Sequence, residues 1–238
     1  MSPVYLIRHG QAGPRHDYDR LSELGEQQAQ ALGRYLVSLK VEFAAAYAGR
    51  LERQRRTAQA VQREYQNAGL AFPEPAEEPL WDEFDLGHVY QELADPLGRD
   101  DPRFRQEFAE MMAAIESGDA DVHRNHNYCD IAIVRAWTAG RYSYCGESWQ
   151  AFRERVATPK QRLAEFTSGE NVAVFTSATP IGVWMGEALG LEEREIWRLA
   201  GATYNSGLST LRVADDGLRL FTFNALPHLP DTAQWSFR

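Results

Sequence analysis

Short apolar runs alternate with amphipathic stretches along this chain. Val4, Tyr5, Leu6 and Ile7 form a run bounded by Gly10, a pattern that predicts a short buried strand. A polar, turn-rich loop from Gln11 to Arg20 follows. Ser22, with Glu23 and Glu26 behind it, then signals a helix start, and Ala29, Leu32, Leu36 and Leu39 give that helix an apolar face. Phe43 to Ala48 reads as a second strand, and Arg53 to Tyr65 as a second helix with Ala58 and Val61 facing inward. This βαβα opening predicts a parallel sheet with right-handed crossovers.

The middle of the chain breaks the rhythm. From Tyr90 to about Tyr144 the pattern is irregular, with a helical stretch at Phe104 to Ile115 and a polar run at Gly118 to Asn127, and we expect an inserted helical cap at about 88–145. A helix from Ser148 to Phe166, a strand from Val172 to Thr176 and a helix starting at Pro180 then resume the α/β order. Thr203 to Val213 and Leu218 to Phe223, split by Asp215, Asp216 and Gly217, read as a terminal hairpin. The expected fold is a single domain over 1–238: a three-layer α/β/α sandwich with a largely parallel central sheet and the cap insertion.

With 238 residues, 44% of them hydrophobic and 25% charged, the chain is long enough to bury the core of one large domain. A formal charge of −9 argues against nucleic acid or an anionic membrane as partner, because either needs a basic face. The basic residues are mostly Arg, whose planar fork matches phosphate oxygens two at a time. Cys129 and Cys145 show no CxxC spacing, so neither a disulfide framework nor a thiolate zinc site is signalled. No segment approaches the ~20 apolar residues of a membrane span, and the start lacks a signal-peptide pattern; a cytoplasmic protein is expected.

The chemistry concentrates where the predicted strands end. Arg8 and His9 leave the first strand, where the ligand crevice of an open α/β sheet lies, and Gly10 beside them would let a ligand approach the backbone. Taken alone, Arg-His-Gly is equally consistent with a solvated strand-end Arg and a packed His. Phosphoryl transfer to a side chain needs a nucleophile, cations for the equatorial oxygens and an acid for the leaving group. A neutral imidazole, His9, can attack. Arg8 can clamp the anion, and one of Arg50, Arg53, Arg55 and Arg56 can add a second fork. The acidic pair Asp82 and Glu83, followed by Gly87, offers a carboxyl to protonate a departing alkoxide.

Together these segments resemble the histidine phosphatase superfamily, also called phosphoglycerate-mutase-like. Leu6, Ile7, Arg8, His9 and Gly10 match its opening motif, and the run from Asp17 through Leu21 to Gly25 is similar to a bacterial phosphatase branch. Leu51, Glu52 and Arg53, followed by Arg56, Thr57 and Ala58, are similar to the segment that supplies the family's second pocket Arg. Glu83, four residues before Gly87, matches its general acid; Gly146, Glu147, Ser148 and Arg155 also fit. The resemblance implies a phosphatase for a small phosphomonoester. His9 would attack phosphorus, Arg8 and Arg53 neutralise oxygens, and Glu83 protonate the leaving group, while Gly10, Gln11, Arg15, Ala178 and Thr179 contact the substrate. It implies no metal and no organic cofactor.

One departure bears on mechanism. The family carries a second histidine after the late strand, in a Ser-His-Gly context, where this chain reads Ser177, Ala178 and Thr179. Loss of one donor of this kind costs on the order of 10²- to 10³-fold in rate unless something replaces it. One replacement is a helix amino end, with Thr179 as cap before Pro180; another is His88, His123 or His126. Ala178 also raises an alternative, a non-catalytic or weakly active phospholigand-binding protein. A mutase is disfavoured, since Gln11, Ala12, Gly13, Pro14 and Arg15 stand where the family's mutases resemble one another in a Glu-Ser-x-Trp-Asn stretch. His123, His126 and Cys129 share a three-residue spacing but lack a fourth ligand fixed by spacing, so a metal is not expected there.

Overall fold

The computed structural model describes residues 2–14, 17–118, 122–167, 169–214 and 217–237. In chain order the elements are β1 (Ser2–Arg8), α1 (Glu23–Ser38), β2 (Phe43–Ala48), α2 (Glu52–Asn67), β3 (Ala76–Glu77), α3 (Leu86–Asp100), α4 (Pro102–Glu116), α5 (Val122–Asn125) and α6 (Asn127–Thr138). They continue with α7 (Trp149–Ala157), α8 (Pro159–Leu163), β4 (Asn171–Thr176), α9 (Ala178–Leu189), α10 (Glu193–Ala202), β5 (Leu208–Ala214) and β6 (Gly217–Ala225).

Contacts divide the chain into two compact units. The first, Met1–Gly13, Tyr18–Glu83 and Arg155–Arg238, contains the whole sheet; the second, Pro14–Asp17 and Phe84–Glu154, is helical. The expected insertion at about 88–145 falls inside this second unit.

The sheet runs in the order β3-β2-β4-β1-β5-β6. β1, β2, β3 and β4 pair in parallel, while β5 and β6 pair antiparallel at one side. Val172, Ala173, Val174 and Phe175 of β4 are all fully buried, as a central strand covered on both faces must be. Because side chains alternate along a strand, Ile7, Ala46, Ala48, Ala173 and Phe175 share one face, where Leu32 and Leu36 of α1 and Ala58, Val61 and Tyr65 of α2 pack on them. α9 lies against β1 and β6 and pairs with α10. The result is the expected α/β sandwich, with a sheet that is mostly parallel.

Ser22 caps α1, its side chain accepting the Gly25 N–H at 3.0 Å, and the bounds of β2 are those the pattern predicts. Several other elements differ from expectation. The stretch read as irregular from Tyr90 holds most of α3, which begins earlier at Leu86, and all of α6; their apolar positions face a small helical core, and Tyr and Trp dilute the aliphatic period there. The single helix expected over 148–166 is two, α7 and α8, because Pro159 lacks the N–H that would continue the ladder. α9 begins at Ala178 rather than Pro180, α10 was not read at all, and residues 203–207 form a turn before β5 instead of its first half. Asp215 and Asp216 of the expected hairpin turn lie outside the described residues.

Candidate active site

Parallel pairing sets three strand ends side by side. The His9 N–H donates to the Thr176 carbonyl at 2.9 Å and the Gly49 N–H to the Phe175 carbonyl at 3.1 Å, so the segments leaving β1, β2 and β4 converge. This is the crevice position of an open α/β sheet.

His9 is almost completely buried. Its Nδ1 lies 2.7 Å from the Gly10 carbonyl, an acceptor only, so Nδ1 carries the proton and the lone pair is on Nε2. Arg53 Nε donates to that Nε2 at 3.2 Å. Burial, and then the Arg53 and Arg8 cations, push the imidazole pKa well below its ordinary value of 6.5. The ring is thus neutral and oriented, with its basic nitrogen toward a guanidinium. The backbone behind it is held as well: the His9 carbonyl accepts from the Ser206 N–H at 3.1 Å and from Asn205 Nδ2 at 3.3 Å.

Among the arginines, packing separates one from the rest. Arg53 is 7% exposed, at the start of α2; its Nη1 donates to Asp19 Oδ1 at 2.9 Å, and the guanidinium lies over the Tyr18 ring at 5.0 Å. Arg50 is paired with Asp82 at 2.8 Å, Arg55 with Glu77 at 3.2 Å and Arg56 with Glu26 at 3.3 Å, and all three are well exposed. Arg8 is also buried, with Nη1 donating to the Thr203 carbonyl. Burial lowers its pKa, while Tyr18 and Glu83 favour its charged form.

The acidic pair divides in the same way. Both oxygens of Asp82 are taken by Arg50, Oδ1 by its backbone N–H at 2.6 Å and Oδ2 by its Nε at 2.8 Å. Glu83 Oε2 instead accepts the Thr179 N–H at 3.0 Å, which brings this carboxylate to the amino end of α9. Arg155 holds the intervening segment, its Nη1 donating to the carbonyls of Pro79 at 2.9 Å, Leu80 at 3.3 Å and Asp82 at 3.1 Å.

Gly10 has a packing role: a Cβ there would stand 2.3 Å from the Gly25 carbonyl oxygen, so glycine lets the segment leaving β1 pass the start of α1. The N–H groups of Gly10 and Gln11 are spent within the protein, on Thr57 Oγ1 at 3.0 Å and Gln28 Oε1 at 2.8 Å. One expectation about the pocket wall needs correction: Thr179 is not the cap of α9. Ser177 takes that position with extended φ/ψ, Ala178 opens the helix half-exposed, and the Thr179 N–H is already engaged by Glu83. Arg15 lies outside the described residues, as do the side chains of His123 and Arg124.

The sequence reading missed the partners that fix these groups. Asp19 was visible only as part of a motif run, although its Oδ2 also accepts the Glu52 N–H at 3.0 Å and so ties the first loop to α2. Gln54 Nε2 bridges the Trp81 carbonyl at 3.2 Å and Ser177 Oγ at 2.8 Å, joining the β2 and β4 exits. Asn205 and Ser206 carry one faint signal, a small polar pair between Tyr204 and Gly207 where Ser206 adopts a φ of 55°.

A family model for the histidine phosphatase superfamily (branch 1) matches residues 4–124 and 91–226. Among solved structures, Bacillus stearothermophilus YhfR superposes with a TM-score of 0.66 at 19% identity, covering 96% of this chain and 99% of that one. Mycobacterial glucosyl-3-phosphoglycerate phosphatase Rv2419c, bound to inorganic phosphate, gives 0.60 at 19%, covering 96% and 100%. The alpha-ribazole phosphatase from Shigella flexneri gives 0.58 at 19%, covering 94% and 96%. No curated protein sequence matches the chain. With the family match running from residue 4 to residue 226, the chain belongs to the histidine phosphatase superfamily, branch 1.

Proposed function

We propose that the protein is a phosphatase that hydrolyses a small phosphomonoester through a phosphohistidine on His9. The observation that carries this reading is the His9 tautomer: Nδ1 bound to the Gly10 carbonyl leaves the Nε2 lone pair facing Arg53. In the first step Nε2 attacks phosphorus while Arg53 and Arg8 neutralise the equatorial oxygens, and the ester oxygen departs with a proton from Glu83. Water then attacks the phosphohistidine, gives its proton to the Glu83 carboxylate and releases inorganic phosphate, which restores neutral His9. The fixed arginines supply the charge stabilisation that a metal ion provides in other phosphoryl-transfer sites, so the reading calls for no metal or organic cofactor. The names of two structural neighbours, an alpha-ribazole phosphatase and a glucosyl-3-phosphoglycerate phosphatase, support a phosphomonoester substrate. No helix among the described residues is long and apolar enough to cross a membrane, and Cys129 and Cys145, which form no disulfide, fit a reducing, cytoplasmic setting.

Ala178 favours a second reading, a phospholigand-binding protein with slow or no turnover. A panel of phosphorylated metabolites assayed with wild type and His9→Ala separates the two. The phosphatase reading expects phosphate release from at least one small phosphomonoester, reduced at least 10³-fold in His9→Ala. Vanadate binding without any turnover would favour the binder.

A further inference from the structure

Three potential metal ligands converge within the helical unit. His88 and Glu92 are four residues apart on α3 and share one face of it. Cys145 comes from the loop between α6 and α7, 53 residues from Glu92. His88 Nε2 lies 2.8 Å from Glu92 Oε1, and Cys145 Sγ 2.5 Å from the same oxygen. One ligand atom from each of the three residues falls within a 4.8 Å cluster.

We propose that His88, Glu92 and Cys145 form a three-ligand site for Zn²⁺ or a zinc-like divalent ion, with water as the fourth ligand. Imidazole, thiolate and carboxylate are zinc's own donor set, while the sulfur disfavours Ca²⁺ and Mg²⁺. Ligand atoms of a tetrahedron with bonds of roughly 2.0–2.3 Å stand about 3.3–3.8 Å apart, so a small outward turn of the Glu92 carboxylate and the Cys145 thiol admits the ion.

The surroundings fit this use. The Tyr144 hydroxyl stands 3.4 Å from His88 Nδ1, the outer partner that leaves Nε2 to the ion. A Cβ at Gly146 would lie 2.4 Å from the Tyr144 hydroxyl and 2.9 Å from His88 Nδ1, so any other residue would push this pair of side chains aside. Asp85 and Glu147 lie within electrostatic reach of Tyr144 and add negative charge beside the site. On binding, the Cys145 thiol gives one proton to solvent as its sulfur ligates the ion. The ion then staples the 139–148 loop to α3.

The test is Co²⁺ titration of tag-free, reduced, chelator-treated full-length protein. One Co²⁺ per chain is expected, with a thiolate-to-cobalt charge-transfer band. Cys145→Ser should abolish the band while leaving the circular dichroism unchanged, and His88→Gln and Glu92→Gln should each weaken binding at least tenfold. Absence of the band in wild type, or equal Co²⁺ binding by Cys145→Ser, overturns the site.

Discussion

Arg53 Nε stands 3.2 Å from His9 Nε2, so the guanidinium occupies the lone pair that the proposed chemistry uses. In the resting protein burial and this cation together keep the imidazole neutral and aimed; in the proposed mechanism the same cation turns to an equatorial oxygen.

The pH dependence of His9 follows from this contact. Burial, Arg53 and Arg8 lower its pKa, in that order of size, so protonation of the ring begins only well below pH 6.5. A histidine NMR titration of the wild type should therefore show this ring still neutral at pH 6. In Arg53→Gln the titration should move to higher pH, together with a loss of at least 10²-fold in kcat/KM. A wild-type ring that titrates near 6.5 contradicts the geometry.

Asp19 holds Arg53 in place. Its carboxylate holds Nη1 and the Glu52 N–H, and it is half-exposed, so the ion pair itself adds little stability. Asp19→Asn should lower kcat about tenfold, through a misplaced guanidinium, with a melting temperature near that of wild type. Unchanged kcat would show that Tyr18 and packing position Arg53 unaided.

The Thr179 N–H at the start of α9 is already spent on Glu83, which weakens a helix end as substitute for the family's second histidine. Ala178 is half-exposed at the first position of α9. Ala178→His should raise kcat about tenfold or more, a fraction of the 10² to 10³ that a lost donor of this type costs. An unchanged kcat would mean that other donors already fill the role.

His228 ties stability to pH. Its Nε2 meets Ser206 Oγ at 2.8 Å, and burial lowers its pKa to about 4. The unfolded chain therefore takes up a proton below pH ~6.5 that the folded protein refuses, and stability falls as pH drops from 6.5 toward 4. From pH 7 to pH 5 the loss through this group is about 2 kcal/mol. Urea unfolding at both pH values should show that loss, and His228→Gln should flatten the dependence by this share. Equal slopes in the two proteins would contradict it.

β1, β2 and β4 were legible because their signal is local, whereas the two-residue β3 was not. Val172 to Phe175 are apolar on every position, and Ser22 with Glu23 and Glu26 announces α1 within one turn. His9, Arg8, Arg53 and Glu83 were singled out by motif, as single residues. Their fixation was not, because it is carried by contacts between distant segments: Asn205 on the His9 carbonyl, Gln54 on Ser177, Arg155 on the Asp82 carbonyl. None of these has a periodicity that points to its partner. α6 escaped for another reason: buried Trp137 and half-buried Tyr128 keep their polar tips engaged, Nε1 on the Glu147 carbonyl and the hydroxyl on Asp101, which blurs the helical period.

The most direct measurement is a rapid acid-free quench during turnover of a labelled phosphomonoester, followed by mapping of the label. The account predicts an acid-labile, base-stable phosphoryl group on His9 that appears before phosphate release and is missing in His9→Ala. Turnover with no label on His9, or with label on another side chain, would contradict it.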